Sequence, residues 1–254
     1  MPEFTRHEPG FPCWLDISVA TAELRESLID FYVTVFGWTF DVGGLETGFY
    51  SMALLAGKPV LAVGQQDGDT GAYIVYFGTH DIAVAAERAT KRGGNMFMGP
   101  MQVMTAGSMA LVLDSAGSIH GLWQPNEMTG FAVMNEVAAP SWFDQASAKP
   151  EVAAEYYSAP VFADRLRSEQ SMRILARGEQ WFASITEQGD SPSHWTPGVA
   201  VTSLAETAKR VRAAGGEVLF ENVPVPGSAI TVFRDLVAGS IMSIMENRGE
   251  PASD

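Results

Sequence analysis

One series of landmarks runs twice, in the same order, through this chain of 254 residues. Pro12-Cys13-Trp14-Leu15-Asp16 matches Pro140-Ser141-Trp142-Phe143-Asp144. Each leads into a helical stretch with paired aromatics, Phe31-Tyr32 and Tyr156-Tyr157. Met52 to Gly57 matches Arg173 to Gly178, and Asp81 to Gly93-Gly94 matches Ser203 to Gly215-Gly216. Last, Ala106-Gly107-Ser108 with Asp114 to Ser118 matches Pro226-Gly227-Ser228 with Asp235 to Ser240. Five landmarks recurring at an offset of about 120–128 residues identify two copies of one architecture. The join lies in 125–139, so the expected domains are 1–128 and 129–254.

Within each half the pattern divides again. Trp14–Val19 alternates like a strand, and residues 22–36 place Leu24, Leu28, Phe31 and Val35 along one helix face. Strands at Gly48–Leu54 and Pro59–Gly64 follow, joined at Gly57-Lys58. The order then restarts with a strand at 72–78 and a helix at 82–92, capped by Asp81 and stopped by Gly93. Strands near 95–98, 108–114 and 118–124 complete the half. The expected fold is therefore α+β, with four βαβββ modules whose cupped mixed sheets are covered by a helix on one face.

Composition narrows the function. Sixteen Lys and Arg against 30 Asp and Glu leave a net charge of −14, which repels phosphate backbones and anionic lipid. No nucleic acid or membrane partner is expected. The single Cys13 excludes an intrachain disulfide and a Cys-based metal cage. The polar, proline-broken N-terminus lacks the marks of a leader, and no apolar run nears the roughly 20 residues that span a bilayer. The expectation is a cytoplasmic monomer or homodimer. No glycine-rich phosphate loop and no Ser-His-Asp or Cys-His arrangement is readable.

The order of residues resembles the vicinal-oxygen-chelate superfamily of glyoxalases, bleomycin-resistance proteins and extradiol dioxygenases. The resemblance rests on Phe31-Tyr32 with Phe36-Gly37-Trp38, on Ala89 to Gly94, and on Asp114 to Gly117 with Gly121-Leu122-Trp123-Gln124. With Trp14-Leu15-Asp16 it is similar to two-domain actinobacterial glyoxalase-like proteins. It implies four βαβββ modules in two tandem glyoxalase-like domains, and a divalent metal held by a His on the first strand, a His or Gln on the strand opening the second module and a Glu on the last strand. The matching positions carry Trp14 (or Ile17), Ile74 and Gly121 in the first half, and Trp142, Thr196 and Met242 in the second. None supplies a strong ligand. His7, His80, His120 and His194 lack the partners to rebuild such a site, and His120 lies one residue out of register. The expectation is no metal and no other cofactor.

Residues in register with those positions form the candidate cavity lining. Asp16 and Asp144 each follow an inward Trp by two residues, where a carboxylate among aromatics could serve as general acid or base. His194 is a candidate proton carrier at neutral pH. Trp14, Tyr50, Ile74, Tyr76, Met109, Trp123, Trp142, Arg173 and Thr196 are candidates for substrate contact, the aromatics by stacking and Arg173 by holding an anionic oxygen. Met242 and Ile244 are expected to point inward as well. The competing explanation is packing: strand aromatics are commonly core, and the carboxylates could bond the backbone or an Arg. Five methionines between Met96 and Met109 suit either a broad ligand or gap filling. Two functions fit: a metal-independent enzyme performing isomerisation, dehydration or cyclisation on a hydrophobic natural-product intermediate, or a non-catalytic binder that sequesters an antibiotic.

Overall fold

A computed structural model describes residues 8–66, 71–158, 162–169 and 171–246. His7, Pro160 and the tail 247–254 lie outside the described residues. The first module is β1 (Pro12–Val19), α1 (Ala22–Phe36), β2 (Thr39–Val42), β3 (Ser51–Leu55) and β4 (Lys58–Gln65). The second is β5 (Ile74–Gly78), α2 (Ile82–Lys91), β6 (Asn95–Val103), β7 (Gly107–Leu113) and β8 (Ile119–Pro125). The third is β9 (Pro140–Ser147), α3 (Pro150–Tyr157), β10 (Arg165–Glu169), β11 (Met172–Arg177) and β12 (Gln180–Glu187). The fourth is β13 (His194–Val201), α4 (Leu204–Ala213), β14 (Glu217–Val225), β15 (Ser228–Arg234) and β16 (Ile241–Glu246). β2 is the module strand that the sequence pattern implied but did not locate; it is four residues long and mostly exposed, so it carries little hydrophobic signal.

The strands make two mixed sheets of eight, ordered β2-β3-β4-β1-β5-β8-β7-β6 and β10-β11-β12-β9-β13-β16-β15-β14. Each sheet is drawn from one half of the sequence. The helices start where expected: Thr21, Asp81 and Ser203 accept from the backbone N–H three residues on. Helix α1 ends at Gly37, whose φ of 73° is the left-handed conformation a glycine adopts freely.

Packing groups the modules differently from the sheets. One compact unit takes the residues up to Leu15 with Ile74–Ala132 and Trp142–Thr196; the other takes Asp16–Tyr73, Val133–Ser141 and the residues from Pro197 onward. In the second unit α1 packs on α4. Phe31, Tyr32, Phe36, Trp38 and Phe233 form its aromatic core, with Phe36 and Trp38 stacked at 4.6 Å. The Trp38 indole N–H donates to the Ala138 carbonyl. Each such buried ring contributes roughly 2–3 kcal/mol, so the Phe-Gly-Trp motif is core structure.

The first unit has a polar centre. Asp114 opens the turn before β8, and its Oδ1 accepts from the backbone N–H of Ala116 and Ser118 at 2.8 and 2.9 Å. Its Oδ2 accepts from the Tyr157 hydroxyl at 2.8 Å and the Gln145 amide at 2.5 Å. In the second unit Asp235 holds the equivalent turn through Ala238 and Ser240, and its charge joins burial in raising the Tyr32 hydroxyl well above the usual range. The repeated Asp motif is a buried turn lock.

Beside Asp114, His120 is fully buried among Phe77, Tyr156, Tyr157 and Phe162. Its Nδ1–H faces the Gly121 carbonyl at 3.3 Å, so Nε2 accepts from the Tyr156 hydroxyl at 2.9 Å. Burial pushes the imidazole down to about 4. An unfolded His titrates near 6.5. Between these values the unfolded chain binds the proton first, so this contribution is full above about pH 6.5 and lost as pH falls toward 4. The expected loss is about 3 kcal/mol. Urea titrations from pH 7 to 4.5 should show this slope, and His120→Gln should flatten it.

Candidate functional site

In the third module β9 runs parallel to β12, with Phe143 opposite Ala183 and Asp144 opposite Ser184. Alternation sends these pairs to opposite faces. Gln145 reaches Asp114, and Arg173 ion-pairs with Glu151 on α3, so Phe143, Gln145 and Arg173 occupy the helix face. Trp142, Asp144, Ser184 and Thr186 occupy the open face, away from α3.

There they form a chain of hydrogen bonds. The Trp142 indole N–H donates to Ser184 Oγ at 2.8 Å, and Ser184 donates to Asp144 Oδ1 at 2.5 Å. Thr186 donates to Asp144 Oδ2 at 2.6 Å. Each carboxylate oxygen keeps an accepting site for a ligand proton. Among the described residues no Lys or Arg pairs with Asp144. Burial raises its pKa; the two hydroxyl donors and nearby His194 partly offset the rise. His194 itself donates Nδ1–H to the Pro192 carbonyl at 3.1 Å. A half-buried carboxylate held above the ordinary carboxylate range, hydrogen-bonded to two hydroxyls and beside an indole, is placed to exchange a proton with a ligand.

The first half answers differently. Asp16 lies opposite Ala62 on β4, where the second half has Ser184, and accepts from the Tyr50 hydroxyl at 3.0 Å. Met52 opposes the same Ala62, so the structural counterpart of Met52 is Ile174 and that of Arg173 is Ser51. This corrects Arg173 as a cavity residue: matching the turns by sequence slips the register by one, and one residue flips the face.

In the second module Tyr76 opposes Gly121 and Trp123 opposes Met109, so Ile74, Tyr76, Trp123 and Met109 share one face of the sheet. The rings fill the space beside two glycines. A Cβ on Gly121 would come within 2.0 Å of the Tyr76 ring, and one on Gly107 within 2.6 Å of the Trp123 ring. The Trp123 indole N–H donates to the Met128 carbonyl at 2.9 Å. Gly121→Ala should cost about 1–3 kcal/mol by overpacking, read as a drop in Tm, and the same substitution should cost less in a Tyr76→Ala background. Trp14 is buried against Phe131 at 5.5 Å, and Thr196 is buried too.

In the fourth module Gly198 opposes Ser243, and Met242 and Ile244 are fully buried on the other face beside Phe233 and Thr231. The inward assignment of Met242 and Ile244 is thus corrected to Ser243. The turn from Asp235 to Ser240 is one residue longer than that from Asp114 to Ser118, which shifts the strand by one. Ser184 and Thr186 escaped the sequence reading. Their alternation in Trp181-Phe182-Ala183-Ser184-Ile185-Thr186 is visible, but only the register of β9 on β12 aims them at Asp144. Of the methionine run, Met96, Met98, Met101 and Met104 are exposed, all but Met104 on edge strand β6.

The superfamily metal can be tested against these residues. Position by position the donors are an indole, an aliphatic side chain and a glycine in the first half, and an indole and two hydroxyls in the second. The Tyr76 ring occupies the space beside Gly121. Among the described residues no three His, Cys, Asp or Glu side chains converge. This donor set does not fit a divalent ion.

No family model matches the chain. A Mycobacterium tuberculosis protein provisionally named glyoxylase CFP32 is 27% identical over 97% of this chain and 98% of its own length. The anthracycline biosynthesis protein DnrV of Streptomyces peucetius is 28% identical over 98% of both. Among solved structures, the Mn(II)-bound glyoxalase from Novosphingobium aromaticivorans superposes with a TM-score of 0.66 at 10% identity, covering 95% of this chain and 83% of that one. The resemblance in sequence, the four modules and this superposition agree: the chain has the fold of the vicinal-oxygen-chelate superfamily, as two tandem glyoxalase-like halves.

Proposed function

We propose that the chain is a metal-independent enzyme that moves a proton on a hydrophobic small molecule, in an isomerisation, dehydration or cyclisation. The observation that carries this reading is the Asp144 carboxylate, polarised by Ser184 and Thr186 and paired with no Lys or Arg among the described residues. In this mechanism a ligand C–H or O–H enters the free accepting site on Asp144. Asp144 takes the proton and returns it to a neighbouring atom, while His194 balances the charge. Ser184, fixed by the Trp142 indole, keeps the carboxylate oriented. Asp16 with Tyr50 is the weaker counterpart in the first half. The name of the Streptomyces relative supports a natural-product intermediate as substrate.

The second reading, a sequestering binder of the bleomycin-resistance type, needs the aromatic wall but no proton transfer. Incubating the protein with anthracycline aglycones decides between them: turnover that Asp144→Asn abolishes while binding persists supports the enzyme, and tight binding without turnover supports the binder. Metal independence has its own expected result. The native mass of the protein purified without chelator should equal the bare chain or the chain with an organic adduct, and EDTA should leave turnover unchanged. One stoichiometric divalent ion would overturn it.

A further inference from the structure

The same open face carries cations at its outer edge. β10 is the edge strand, and its register places Arg167 opposite Ile174 and Arg165 opposite Ala176. Ile174 opposes Ser184, and Ser184 opposes Asp144. One row across four strands therefore reads Arg167, Ile174, Ser184, Asp144. Both guanidinium groups lie against the Trp181 ring, Arg165 at 5.1 Å and Arg167 at 4.8 Å from its centre. The Arg165 guanidinium donates to the Gly178 carbonyl at 2.8 Å, and no carboxylate pairs with it among the described residues. Arg167 shares Glu169 at 2.6 Å and is half exposed. Two arginines held to one indole are preorganised, and they form a local positive site on a chain of net charge −14.

We propose that Arg165, Trp181 and Arg167 bind the anionic end of the substrate, which defines its class as a planar, largely apolar acid. This inference rests on the reading of Asp144 as the proton-transferring group. Three strand spacings separate the ends of the row, about 14 Å between backbones. Two or three fused rings are of that order of length. A carboxylate or phenolate at one end meets a guanidinium fork, and the reacting C–H or O–H at the other end meets Asp144.

The probes are anthraquinone-2-carboxylate and its uncharged carboxamide, titrated against the full chain by tryptophan quenching and calorimetry. The wild-type protein should bind the carboxylate about tenfold more tightly than the carboxamide at low salt, with the preference shrinking at high salt. In Arg165→Gln/Arg167→Gln, shown folded by circular dichroism, the ratio should fall to near one with the carboxamide affinity unchanged. Asp144→Asn should keep the wild-type ratio. Equal affinities in the wild type, failure of both probes to bind, or a ratio unmoved in the double variant would each overturn the inference. A carboxylate preference that depends on the arginines, with turnover indifferent to Asp144→Asn, would sustain it and discard the proton-transfer reading.

Discussion

If Asp144 moves the proton as proposed, Asp144→Asn should lower turnover by a factor of about 10²–10⁴, the span a positioned general acid or base contributes, and leave ligand affinity within a few-fold. Asn keeps an oxygen that accepts from Ser184 or Thr186, so the network survives while the proton-accepting site is lost. The pH profile of the wild type supplies a second check. Burial raises the Asp144 carboxyl, and a base acts only when ionised. The acidic limb of kcat/KM should therefore lie above the ordinary carboxylate range. Replacing both hydroxyls, Ser184→Ala with Thr186→Val, removes two donors to the ionised form and should move that limb higher still. A profile flat through the acidic range, or an Asn variant as active as the wild type, would show that Asp144 carries no proton.

The largest effect on stability belongs to Asp114. Asp114→Ala strands the Tyr157 hydroxyl and the Gln145 amide in the interior of the first unit, along with the N–H groups of Ala116 and Ser118. Each buried donor left without an acceptor costs about 1–3 kcal/mol. Allowing for relaxation, the sum is on the order of 4–5 kcal/mol, or about 10 °C in Tm for a chain of this size. Differential scanning calorimetry measures it directly. A shift below about 2 °C would mean that water replaces the carboxylate and that the turn does not depend on it. Tyr157→Phe removes one of the four donors and should cost less.

The architecture was legible because two periodic signals agree. The capped helices at 22–36 and 82–92 are punctuated by Thr21, Asp81 and glycine, and the landmarks repeat in order. What sequence could not resolve was register. Arg173 and Met242 were each misplaced by one residue, and in a strand that moves a side chain to the opposite face. The turn lengths responsible, one residue more between Asp235 and Ser240 and a slipped match at Gly57 and Gly178, leave no mark on composition. The same limit hid Ser184 and Thr186, which are ordinary strand residues until β9 is laid beside β12. The aromatic pairs were visible, but whether Tyr157 faces a ligand or a buried Asp depends on long-range packing.

The bond between Asp114 and Tyr157 joins residues from opposite sides of the repeat boundary. On a ribosome that has just released the first 128 residues, every strand of the first sheet already exists, yet Asp114 has none of the side-chain donors it will finally hold. The Gln145 amide arrives with β9 and the Tyr157 hydroxyl only with helix α3. A fragment cut at the sequence boundary therefore carries an acid whose side-chain partners were left on the other piece.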